Sequence, residues 1–221
     1  KYGTKGPNPF KDLRVRKALN MSMDRSGIQR SIMRGLSIPA AIMVAPGVNG
    51  YAEASDKPPA VDVEGAKKLL AEAGFPNGFE FTLDCPNNRY VNDEEICQAV
   101  VAMWARVGIK ASLAAENMAT FIQKVQNFDS SIYLLGWGVA TYDAQYSLQS
   151  LVRTNDGLAA GAFNAGRYSN AKLDALIDEV GGEEPRDATH DAVAQLRANE
   201  PFGFLPEPQF AGRVEFKEPS S

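Results

Sequence analysis

Between residues 78 and 137 two hydrophobic periods alternate, and this constrains the chain more than any other feature. "GFEFTLDC" (78–85) alternates apolar and polar positions with period two, which predicts a strand. "DEEICQAVVAMWARVG" (93–108) then repeats at helical spacing. The strand-like "IKASLAA" (109–115), the helical "MATFIQKVQN" (118–127) and the strand-like "SSIYLLGW" (130–137) follow. Strands joined by helices can lie side by side only through crossovers. The pattern therefore predicts an α/β fold, a mixed sheet with some parallel pairing, flanked by helices.

The flanks fit the same layer. In "PNPFKDLRVRKALNMSMDRSGIQRSIMRG" Asp12 and Asp24 each precede a short helical pattern and predict its cap. Val15, Ala18 and Leu19 fall on one face of the first helix, and the second ends at Gly35. Residues 36–61, rich in Pro, Gly and Ala, read as a long ordered loop over a surface. Asp62 caps a helix whose stripe of Ala66, Leu69, Leu70 and Ala73 is closed by Gly74. "NAKLDALIDEV" (170–180) and "RDATHDAVAQLRAN" (186–199) read as amphipathic helices, and "FGFLPEPQF" (202–210) as extended. This divides the chain into two N-terminal helices with their loop (1–61), an α/β core (62–200), and a return segment with a tail (201–221).

Composition removes several classes of function. The 221 residues, 44% of them apolar, can bury a substantial core, and a net charge of -4 leaves no basic footprint for nucleic acid. No apolar run approaches the roughly 18 residues that cross a bilayer, and nothing at the start reads as a leader. Beginning with Lys1 rather than Met, the sequence reads as a processed or excised piece. One histidine and two cysteines argue against a first-row metal centre, and His190 suits a solvated or capping role. Cys85 and Cys97 lie on adjacent elements. Two buried free thiols are the simpler reading and a disulfide the alternative, since spacing does not reveal geometry.

Motifs of catalysis and nucleotide binding are incomplete. Gly136-Trp137-Gly138-Val139-Ala140-Thr141 lacks the third glycine of a dinucleotide fingerprint and puts an indole where a pyrophosphate needs bare backbone. Ser169-Asn170-Ala171-Lys172 has the spacing of a serine–lysine nucleophile without its partner motifs, so Ser169 or Asn170 reads as a helix cap. No enzyme activity and no cofactor is implied. Ligands of open α/β sheets collect beyond the carboxyl ends of the strands. Those ends carry "CPNNRYVND", "AENMA" and "GWGVATYDAQY", which nominate Asn87, Asn88, Arg89, Tyr90, Asn117, Trp137, Tyr142 and Asp143, with Tyr146, as a site for a small polar solute.

The series "PFKDLRVRKALNMSMDR", "DVEGAKKLLAEAGFPNGFEFTL", "RYVNDEEICQAVVAMWARVGIKASL", "TFIQKVQNFDSSIYLLGWG" and "GRYSNAKLDALID" resembles extracytoplasmic solute-binding proteins of family 5, the peptide- and nickel-type receptors of ABC importers. The resemblance runs from about Asn8 to Val180 and implies a type II periplasmic-binding-protein-like lobe. In that family a second lobe is inserted between parts of the first, and this chain resembles the second lobe, carrying half of an interlobe cleft. It implies permease subunits as partners and a periplasmic or cell-surface-anchored location. A ligand-sensing domain of a regulator, or a hydrolase using the same cleft, are the alternatives.

Two departures bear on the ligand. The family's peptide receptors carry Trp-x-x-Asp, whose acid holds the ligand's amino terminus. Here Ala140 stands three residues after Trp137, and Asp143 falls where the Asp of an Asp-Pro pair is usual. Dipeptide members also place an arginine before the helix at 93–108, and the ungapped match is Glu94, with Arg89 displaced from it. An unpartnered buried ligand charge costs several kcal/mol. The resemblance therefore implies a solute other than an ordinary zwitterionic dipeptide, or one whose charges are met by the other lobe. The C-terminal stretch "FLPEPQF" departs from the return strand that the family pattern implies.

Overall fold

A computed structural model describes residues 8–181. Three strands, β1 (Glu80–Pro86), β2 (Lys110–Glu116) and β3 (Ile132–Tyr133), form a sheet in the order β2-β1-β3, and both pairings are parallel. Five helices of the layer are α1 (Leu13–Met21), α2 (Arg25–Ser31), α3 (Val63–Glu72), α4 (Asp93–Ala105) and α5 (Met118–Gln126). Two more, α6 (Ala144–Leu151) and α7 (Ala171–Val180), follow the sheet.

The caps form as the sequence indicates. Asp12, Asp24 and Asp62 accept from Arg14, Gly27 and Gly65 backbone N–H groups, filling donors that each first turn leaves unpaired. Asn170 caps α7 through the N–H groups of Lys172 and Leu173, whereas Ser169 Oγ lies 3.0 Å from the Thr154 hydroxyl, which itself donates to Asp174 Oδ2 at 2.6 Å and leaves the serine to donate. Gly74, at φ +90°, closes α3 in a conformation that a Cβ would oppose.

The two faces of β1 do different work. Phe81, Leu83 and Cys85 point into the main core with Val15, Leu19, Leu70, Val100 and Trp104, so α1, α3 and α4 cover that face. Trp104 is fully buried and its indole N–H donates to Leu19 O at 3.2 Å, joining α4 to α1. On the opposite face Asp84, 2% exposed, receives Lys124 Nζ of α5 and Ser130 Oγ, each at 2.5 Å. Lys124 also lies 3.9 Å from Glu116. A second apolar cluster joins Leu148 and Leu151 of α6 and Leu173 and Ile177 of α7 to Ile42 and Val44 of the long loop. That loop does more than cross a surface: it seals the α6–α7 pair. Asp56 pins it, accepting from Ala41 N–H at 2.6 Å and from the Tyr51 hydroxyl at 3.1 Å.

Several expectations change. Cys85 and Cys97 form a disulfide with Cα atoms 6.6 Å apart, so the reading of two free thiols is wrong. The last residues of β1 and the first turn of α4 face each other across the core, a juxtaposition that spacing along the chain does not reveal. The strand expected over 130–137 pairs only at Ile132 and Tyr133. Leu134 N–H still donates to Asp84 O, after which the chain leaves the sheet. Helix α6 then begins at Ala144, with Asp143 as its cap. The helix expected at 186–199, His190 and the extended segment at 202–210 lie outside the described residues.

Candidate functional site

At the carboxyl ends of β1 and β2 the chain enters two loops that bond to each other. Asn87 N–H donates to Glu116 O, and Asn88 Oδ1 accepts from Met118 N–H, both at 2.9 Å. Asn117 caps α5 through Thr120 N–H. Both amides therefore help to position the start of α5, and all three asparagines are exposed.

The turn from β1 into α4 is built on Asp93. This carboxylate is 3% exposed. Its Oδ2 accepts from the N–H groups of Arg89 and Tyr90, and its Oδ1 from Glu94 N–H, all at 3.0 Å. Asn92 precedes it at φ 56°, its side-chain amide tied to Ile32 O. Held this way, Tyr90 reaches the end of β3, where its hydroxyl donates to Gly136 O at 3.3 Å. A Cβ on Gly136 would stand 2.5 Å from the Tyr90 ring, so this contact needs the glycine. The Arg89 guanidinium lies 5.6 Å from the centre of the Tyr90 ring. No carboxylate pairs with it among the described residues.

Trp137, next to Gly136, stacks on Tyr146 with ring centres 5.3 Å apart and meets the edge of Phe163 at 5.1 Å. It is half-buried against the second core cluster, and its Nε1 is buried without a hydrogen-bond partner. Tyr142 is 71% exposed and adopts φ 54°, an uncommon backbone for an aromatic residue. Its carbonyl accepts from Asn49 N–H, and Ala144 N–H donates to Asn49 O, so residue 49 bridges the chain beside Asp143. Asp143 caps α6 by accepting from Gln145 N–H at 2.8 Å, and its other oxygen accepts from Asn49 Nδ2 at 2.7 Å. Ala140 is exposed and brings no functional group.

The nominated residues thus fall into two groups. Asn87, Asn88, Arg89, Tyr90 and Asn117 surround the ends of β1 and β2, and the Tyr90–Gly136 contact joins them to Trp137. Tyr142 and Asp143 belong to the start of α6. Asn49 and Phe163 were missed. Phe163 sits in a stretch without periodicity, and the only signal at Asn49 was an Asn-Gly pair, which reads as a turn. Among the described residues no group of three metal-ligating side chains converges, and no helix is long and apolar enough to cross a membrane.

This architecture has close counterparts. Over 178 residues the chain is 29% identical to heme-binding protein A of Haemophilus influenzae, covering 79% of this chain and 32% of that protein. It is 31% identical over 177 residues to the glutathione-binding protein GsiB of Escherichia coli K12, covering 78% and 34%. It therefore spans about a third of the length of these relatives. The periplasmic binding protein DppA of Helicobacter pylori, solved with the peptide STSA, superposes with a TM-score of 0.80 at 20% identity, over 91% of this chain and 40% of that one. The fold is that of a type II periplasmic binding protein lobe. The family model for the middle region of bacterial extracellular solute-binding proteins of family 5 matches residues 4–158. The chain belongs to the bacterial extracellular solute-binding proteins of family 5.

Proposed function

We propose that this chain forms one wall of the interlobe cleft in the substrate-binding component of an ABC importer, and that the intact protein captures a peptide-like or other small polar solute there. The observation that carries the reading is that amide, aromatic and cationic residues follow the ends of three parallel strands, with Tyr90 bonded to Gly136 between two of these ends, the position at which open α/β sheets hold ligands. Family membership and the peptide- and glutathione-binding names of relatives support it.

In this reading Trp137 and Tyr142 are walls, while Asn87, Asn88, Asn117, Arg89 and Asp143 with Tyr90 are the polar surface. Affinity comes from burying the solute as two lobes close, and the closed form docks on permease subunits. No covalent step is needed. The location is periplasmic, or the cell surface in a host without an outer membrane. Ala140 and Glu94, in place of the acid and arginine that peptide receptors use, favour a solute other than an unmodified dipeptide.

Mass spectrometry of material co-purifying with the intact protein identifies the solute, and calorimetry with that solute measures it. Tight binding of unmodified dipeptides, unaffected by Asp143→Ala, would refute the ligand assignment. Absence of any bound or binding small solute would refute the receptor reading.

A further inference from the structure

We propose that the Cys85–Cys97 disulfide is a positioning element of the solute site: it holds the turn that carries Asn87, Asn88, Arg89 and Tyr90 in a fixed place on the cleft wall. The inference rests on the receptor reading above for the role of that turn. It begins with a gap in the packing. From Asn87 to Glu95 no apolar side chain is buried, and Asp93 is the one buried residue of the stretch. Segments held by few apolar contacts, and by hydrogen bonds within reach of water, open at low free-energy cost. A wall that opens also loses affinity, because binding then has to order it again.

The disulfide brackets this gap. Cys85 stands two residues before Asn87, at 0% exposure, and Cys97 two residues after Glu95, at 1%. The bond therefore closes a ring around the whole stretch that lacks an apolar anchor. Asp93 lies inside that ring. Its carboxylate gathers the N–H groups of Arg89, Tyr90 and Glu94, and its carbonyl oxygen is 3.3 Å from Cys85 Sγ. Opening the turn moves Asp93 away and unwinds the first turn of α4, and the bond stops that unwinding at Cys97. The other side-chain ties are single hydrogen bonds at exposed or half-buried positions: Asn88 to Met118 N–H, Tyr90 to Gly136 O and Asn92 to Ile32 O. Each is a modest net gain over water. Beyond Cys97, α4 is held by Val100 and Trp104 in the main core, so the rest of the helix depends on the bond less. With both sulfurs buried, the bond is out of reach of small thiols in the folded protein, which fits a permanent tie rather than a switch.

Hydrogen exchange of the intact protein, read by mass spectrometry at urea concentrations below the unfolding transition, tests this. Local opening exposes little surface and depends weakly on urea, whereas global unfolding depends strongly. In Cys85→Ala/Cys97→Ala the peptide 86–95 should exchange about tenfold faster than in wild type or more, with little dependence on urea. The peptide 63–72 of α3 should keep a strong dependence in both proteins. If the two peptides speed up together with the same strong dependence, the bond staples the fold as a whole and the proposal fails. It fails equally if 86–95 exchanges at the wild-type rate, since Asp93 then suffices. If the alanine pair does not fold, Cys85→Val/Cys97→Ala, which fills more of the vacated space, takes its place. Failure of both variants to fold overturns the proposal. A protein that binds no small solute would remove the receptor reading and leave the exchange result as it stands.

Discussion

Gly136 and Gly138 flank the same tryptophan, yet the structure assigns them opposite sensitivities. A methyl group at Gly136 would stand 2.5, 2.8 and 2.9 Å from three carbons of the Tyr90 ring. Real Cβ atoms do not approach that closely, so the ring must move. Tyr90 cannot move freely, because its backbone N–H is held by Asp93 and its hydroxyl by Gly136 O. Overpacking of this kind costs about 1–3 kcal/mol, and the hydroxyl bond lost with it about 1 kcal/mol. A loss near 2 kcal/mol lowers Tm by roughly 4–8 °C in a chain of this size. At Gly138 a Cβ meets nothing within 4 Å, so Gly138→Ala should be neutral or raise stability by up to about 1 kcal/mol through the unfolded chain. Urea unfolding of the two variants, with Gly136→Ala repeated in a Tyr90→Ala background, separates the causes. Removing the ring should abolish most of the penalty. Equal stability of the two alanine variants, or an unchanged penalty without the ring, would refute the account of this contact.

Replacing Cys85 and Cys97 together by alanine opens a link spanning 12 residues and should cost about 3 kcal/mol, read as a lower urea midpoint. Lys124→Met leaves the buried Asp84 carboxylate with only the Ser130 hydroxyl and should cost about 2–3 kcal/mol at neutral pH. The hydrogen bond to Asp84 raises the Lys124 pKa above its ordinary value of 10.5. The ion pair's contribution is thus complete below that value and fades as pH rises through the raised one, so unfolding curves of wild type and Lys124→Met should converge in strong alkali. Asn170→Ala removes the cap of α7 and should cost about 1 kcal/mol, while Ser169→Ala should cost less, a comparison that thermal melts can make.

Much of the fold was legible because local chemistry and global packing agree. Asp12, Asp24 and Asp62 are acids placed one residue before an apolar periodicity, and capping acts within a single turn, so the chain alone identifies them. The period-two run through Phe81, Leu83 and Cys85 names the buried face of β1 because alternate side chains must point to opposite sides. Parallel pairing followed from strands separated by helices.

Tertiary structure alone decided the rest, since each remaining feature depends on residues distant in the chain. Whether Cys85 and Cys97 join depends on how α4 lies against the end of β1. That β3 stops after Tyr133 depends on which backbone groups still find partners, and the apolar run through Leu135 gives no sign of it. Between Ser169 and Asn170, the backbone places Asn170 at the start of α7 with its side chain on two N–H groups, while Ser169 turns to Thr154, fifteen residues upstream. The site divides along the same line. That polar and aromatic residues gather at strand ends follows from sequence order and the geometry of α/β sheets. How their side chains are held depends on contacts such as Asn49 meeting Asp143 across 94 residues of chain, and no local pattern records that meeting.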